Sequence, residues 1–86
     1  MKKAIQRMQN NPKDVTFAEL IKVLSRCGCV VEPPNRGSHF TVFHEEVPGY
    51  IITIPKPKQS TIKEVYVKNA LDLIDRIKEV LPDEWR

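Results

Sequence analysis

Cysteine is scarce in this 86-residue chain: there are two, Cys27 and Cys29, on either side of Gly28. A disulfide between positions this close would be strained. A zinc site would need a second Cys/His pair at ligand spacing, and the chain offers none. Both cysteines therefore read as reduced, half-buried residues of a cytoplasmic protein. Long apolar runs are also missing. Nothing approaches the ~18–20 residues of a membrane span, and the start lacks the apolar stretch of a signal peptide. Internal repeats, low-complexity segments and linkers are absent as well.

The chain is short enough to support only one core, so residues 1–86 read as a single domain with 1–14 as an N-terminal extension and 15–81 as the core. A domain near this size buries only ~60–65% of its unfolded surface, so a deep cavity is not expected. Function belongs on an open face or in a shallow groove. Fourteen basic residues against eleven acidic ones give a net charge of +3. The excess is uneven. Lys2, Lys3, Arg7 and Lys13 lead the chain; Lys56, Lys58, Lys63 and Lys68 cluster later; residues 72–86 lean acidic. Such clusters suit a polyanion partner, although a solvated surface looks the same.

Apolar spacing orders the elements. Met1, Ile5 and Met8 recur at helical steps ahead of Asn10-Asn11-Pro12, which predicts a short helix that either packs on the domain or frays. Thr16-Phe17-Ala18-Glu19 has the form of a capping box. Behind it, Phe17, Leu20, Ile21, Leu24 and Cys27 make one helical stripe, stopped by Gly28. Three strands follow, over 29–32, 39–44 and 50–54. Pro33-Pro34 ends the first, Pro48-Gly49 turns the second into the third, and Pro55 closes the third. Thr61-Ile62-Lys63-Glu64 repeats the capping pattern, so the last helix is expected from there to about Leu81, with Pro82 breaking it. The fold class is α+β, in the order α-β-β-β-α. Both main helices bury their stripes on one face of a three-stranded antiparallel sheet and leave the other face open.

Strand parity sorts the side chains. The open face should carry Val30, Glu32, His39, Thr41, Phe43, Ile51 and Thr53. His44, five residues after His39, should point the opposite way, which disfavours a site built from the two histidines. Val30, Phe43 and Ile51 would form an apolar patch beside His39, suited to a protein partner or to a homodimer contact. The stretch Arg36-Gly37-Ser38-His39 draws the chemistry together. A flexible turn with donors for an anion runs into a histidine, the side chain that exchanges protons near neutral pH. The plain alternatives are a structural strand histidine and a turn hydroxyl at Ser38, which lacks a nucleophile-elbow context. Lys56 and Lys58, on either side of Pro57, suit phosphate contact near the start of the last helix, or simply solubilise a loop.

The Gly37-Ser38-His39 turn, between a capped helix and a hairpin, resembles the HicA family of toxin–antitoxin ribonucleases. The likeness takes in Phe17-Ala18-Glu19-Leu20 with Leu24 and Gly28, and Ile52-Thr53-Ile54-Pro55. Asn11-Pro12-Lys13-Asp14-Val15 and Tyr66-Val67-Lys68 through Leu71 look like a longer, N-terminally extended subgroup. The resemblance implies a double-stranded-RNA-binding-like fold and an enzyme that cleaves messenger RNA without a metal or other cofactor. It makes His39 the essential residue, carries Gly37 and Ser38 with it, and implies a HicB-like antitoxin that covers the histidine. Lys56-Pro57-Lys58 stands where many relatives have a second histidine. Under this reading His39 acts as general acid or base in attack of a 2′-hydroxyl on phosphorus, while Arg36, Lys56 and Lys58 hold phosphates. The rival readings are a non-catalytic RNA-binding module and a protein-interaction domain.

Overall fold

Thr16 starts the best-specified element. Its side-chain oxygen accepts the Glu19 N–H at 3.1 Å and opens α2, Phe17–Arg26. The same helix closes on a Schellman motif. Cys29 N–H donates to the Leu24 carbonyl and Gly28 N–H to that of Ser25, each at 3.1 Å, with Gly28 at φ +86°. Only a glycine takes that conformation without strain.

The computed structural model describes residues 2–81. Ahead of α2 lies α1, Lys2–Asn10, and after it come β1 (Val30–Glu32), β2 (His39–Phe43), β3 (Ile52–Pro55) and α3 (Glu64–Val80). The order is α-β-β-β-α with α1 added in front, an α+β fold. The strands form an antiparallel meander, β1-β2-β3. In the hairpin turn, Tyr50 N–H reaches the Val47 carbonyl and Gly49 sits at φ +83°, as a type II turn requires. Met1 and Pro82 lie outside the described residues.

The core lies between the helices and one face of the sheet. Leu20, Leu24, Val42, Ile54, Leu73 and Ile74 are fully buried there. On the short helix α1, Ile5 and Met8 join the same core, so α1 is packed against α3 rather than frayed. Arg7 holds its other side. The guanidinium pairs with Glu19 of α2 at 2.6 Å and with Asp14 at 3.4 Å.

The start of α3 departs from expectation. Thr61 does not cap it. Thr61 bridges to Thr16, and Ile62 N–H donates to the Val15 carbonyl at 2.8 Å, which holds 61–62 extended and buries Ile62. Tertiary pairing thus overrides the local capping pattern, and α3 begins at Glu64, with Lys63 at its N-cap making no side-chain capping bond.

Candidate functional site

The register decides what the open face displays. Val30 faces Phe43 and Glu32 faces Thr41 across β1 and β2; Thr41 faces Thr53 and His39 faces Pro55 across β2 and β3. On the opposite face Val42, Ile52 and Ile54 are buried, and Phe40 lies half-buried against Phe17 with ring centroids 5.1 Å apart. His39 is therefore exposed because the strand alternates: Phe40 turns to the opposite face against Phe17, and Val42 on that face is buried in the core.

His39 is the first residue of β2, at the rim of the sheet. A shallow depression of about 410 Å³ opens there, lined by Glu32, Pro33, Pro34, Asn35, Arg36, His39 and Thr41. Residues 33–36 of the loop between β1 and β2 form one side of it. Gly37 lies in this loop at φ +79°, with open space where a Cβ would stand, so backbone conformation and not crowding calls for glycine. Ser38 contributes its carbonyl, which accepts the Lys56 N–H at 2.8 Å and extends the β2–β3 ladder by one rung. That bond brings the backbone of Lys56 to the His39 corner.

Lys58 lines a second depression, of about 330 Å³, together with Pro55, Pro57, Gln59, Thr61, Ile62, Lys63 and Tyr66. Pro55, in the lining of this second hollow, faces His39 across the strands, so the two hollows lie at the same end of the sheet. Lys58 and Lys63 make this second hollow basic. The start of α3 already carries a negative charge in its first turn, Glu64, which pairs with Lys68 at 3.4 Å.

The structure brings Arg36, Gly37, Ser38, His39 and the Lys56 backbone to one corner, and places Lys58 in the second hollow at the same end of the sheet. His44 goes elsewhere. It is 8% exposed, its Nδ1 accepts the Glu46 N–H at 3.0 Å, and its ring lies against Gly28, 3.1 Å from where a Cβ would be. The two histidines face opposite sides of the sheet, as parity predicts. The apolar patch stands at the far end of the open face and not beside His39. Ile51 is 63% exposed, Val30 and Phe43 are half-buried, and Phe43 is four residues along β2 from His39, ~13 Å at strand spacing. The row Glu32–Thr41–Thr53 lies between.

Glu32 is the residue whose place in the groove sequence reasoning left without a role. Parity puts it on the open face, but only the register puts it next to Thr41 and so near His39. The thiols offer no alternative chemistry. Burial pushes Cys27 up to about 11 and Cys29, helped by the charge of Cys27, up to about 12. Both stay protonated at neutral pH and are poor nucleophiles. Among the described residues, no three or more His, Cys, Asp or Glu side chains gather where they could hold a metal ion, and no helix is long and apolar enough to cross a membrane.

Comparison with known families finds a match over most of the chain. A model described as the HicA toxin of bacterial toxin–antitoxin systems matches residues 17–75, from the first residue of α2 into α3. The matched stretch includes the whole sheet and both hollows at its rim. No curated protein and no solved structure gives a significant match.

Proposed function

The chain belongs to the HicA toxin family, as a toxin of a bacterial toxin–antitoxin system, and from that premise we propose that it is an endoribonuclease acting on messenger RNA. The observation that carries the proposal is the exposed His39 inside the matched stretch, in a groove that also holds Arg36. An imidazole open to solvent beside a guanidinium can exchange a proton with an RNA 2′-hydroxyl or 5′-oxygen while the guanidinium holds the phosphate between them.

His39 acts as the general acid or base. Arg36, with the backbone of the turn at Gly37 and Ser38, seats the scissile phosphate. Lys56 and Lys58 hold neighbouring phosphates along the rim, where the groove is shallow enough for a single strand to lie across it. The reaction uses the 2′-hydroxyl as internal nucleophile and asks for no metal. The partner is a HicB-like antitoxin that covers His39 and blocks access to it. Ile51, at the other end of the same face, offers apolar surface to a protein partner, the antitoxin or a second copy of the chain.

His39→Ala should abolish growth arrest on induction and lower RNA cleavage by ~10²–10⁴-fold, with the circular dichroism spectrum unchanged. Cleavage by the parent should persist in a chelator. If the alanine variant cut RNA as fast as the parent, the ribonuclease assignment to this site would be wrong. RNA binding that is salt-sensitive but yields no shorter products would instead identify a non-catalytic binding module.

A further inference from the structure

Transfer of phosphorus from the 5′-oxygen to the 2′-oxygen moves two protons. One leaves the attacking hydroxyl and one arrives on the departing oxygen, on opposite sides of the phosphorus. A single imidazole does not reach both in one step, so the site has room for a second group.

Most alternatives are committed elsewhere. His44 is buried on the other face with Nδ1 engaged. The thiols of Cys27 and Cys29 are held protonated by burial. The Tyr50 hydroxyl donates to Asp72 of α3, while Arg76 lies 4.4 Å over its ring. Asp14 and Glu19 pair with Arg7, Glu64 with Lys68, and Asp72 with Arg76. Glu32 belongs to none of these pairs among the described residues. It is exposed and lines the same groove as Arg36 and His39, which are the other charged or titratable side chains of that groove.

The strand register gives the spacing. Glu32 faces Thr41, and His39 lies two residues before Thr41 on the same face. Glu32 and His39 are thus diagonal neighbours, ~7–8 Å apart at their backbones. That separation admits a phosphate between a carboxylate on β1 and an imidazole on β2, with Arg36 lining the same groove. A direct ion pair would close the gap.

Resting on the ribonuclease reading above, we propose that Glu32 is the general base of the His39 site and His39 the general acid. The Glu32 carboxylate takes the 2′-hydroxyl proton as the 2′-oxygen bonds to phosphorus. The bond from phosphorus to the 5′-oxygen breaks, and that oxygen leaves with the proton of the His39 imidazolium. The products are a 2′,3′-cyclic phosphate and a 5′-hydroxyl. Solvent then returns the proton to His39 and removes the one on Glu32. Arg36 offsets the charge that builds on the non-bridging oxygens.

The test compares the parent, E32Q, E32D and H39A on one RNA strand whose cleavage site has been mapped with the parent. The same strand is also made with sulfur in place of the leaving 5′-oxygen. A thiolate departs without protonation, so that substrate bypasses the general acid alone. E32Q should lose ~10²–10⁴-fold in kcat/KM on the oxygen substrate, with E32D recovering part of it. Its pH–rate profile should lose the rising limb of the parent's bell. On the sulfur substrate H39A should recover and E32Q should not. The Glu32 assignment is overturned if E32Q stays within threefold of the parent with an unchanged bell, or if sulfur rescues it as it rescues H39A. Either outcome leaves the ribonuclease reading standing as long as H39A is inactive on the oxygen strand. If H39A cleaves that strand normally, the assignment of ribonuclease activity to the His39 site falls, and the Glu32 proposal with it; a parent that cleaves no strand overturns the ribonuclease reading.

Discussion

The loop 33–38 and the turn 44–49 both adjoin β2, each with a histidine at the junction and a glycine at positive φ, yet they use these parts oppositely. At the second junction, His44 fits over Gly28 and takes the Glu46 N–H, and the turn closes with Val47 N–H on the His44 carbonyl. Its polar groups are consumed internally. At the first junction, His39 projects from the sheet, and the space beside Gly37 is empty. One junction turns its histidine inward onto the fold; at the other the Ser38 carbonyl is engaged by Lys56 N–H while the His39 side chain stays exposed. Buried polar groups must find partners within the fold, whereas exposed ones need not.

Alkaline pH should strain the inward junction most. Cys27 and Cys29 flank Gly28, against which the His44 ring packs, and burial raises them from 9.0 to about 11 and about 12. Above pH 9 the folded chain therefore holds protons that the unfolded chain has lost, so stability falls as pH rises from 9 toward 12. Denaturant melts across that range should show the midpoint dropping, and dropping less in a variant with both cysteines replaced by alanine. A midpoint that held steady would mean the thiols are not desolvated.

His44→Ala should cost about 2–3 kcal/mol in urea unfolding, because a buried ring is lost and the Glu46 N–H is left without its acceptor. His39→Ala should move stability by less than ~0.5 kcal/mol, as an exposed site allows. Equal losses at the two histidines would erase the contrast between the junctions.

The glycines sharpen it further. Gly28→Ala meets both a positive φ and the His44 ring, and should lose about 2 kcal/mol; Gly37→Ala meets only the backbone cost, about 1 kcal/mol. Thermal melts of the two variants compare them directly, and a reversed order would place the crowding at the wrong glycine.

Much of the fold was legible because its signals are local. Thr16 with the stripe from Phe17 to Cys27 specifies α2, Pro33 and Pro48 punctuate the strands, and alternation in β2 assigns His39 and His44 to opposite faces. Pro55, expected to close the third strand at 54, instead lies within β3 opposite His39, and the strand starts at Ile52 rather than Tyr50. Thr61 shows where local reading stops. The same capping pattern that works at Thr16 fails there, because a bridge to Thr16 itself and the burial of Ile62 outweigh one side-chain cap. The fate of α1 was also undecided until Ile5 and Met8 were seen to fill space against α3.

At the site the division is similar. The turn before His39, and the histidine's exposure, follow from residue order and period. The neighbourhood of Glu32 does not, because Glu32 and His39 come together through pairing between strands, and pairing register is a property of the assembled sheet. Sequence alone determined which side chains face outward, since strand geometry alternates whatever lies beyond it. Tertiary structure alone decided which of those outward groups are neighbours: Glu32 joined the His39 groove while the apolar patch moved to the far end. Both outcomes depend on how hairpin turns and core packing lock one strand against the next.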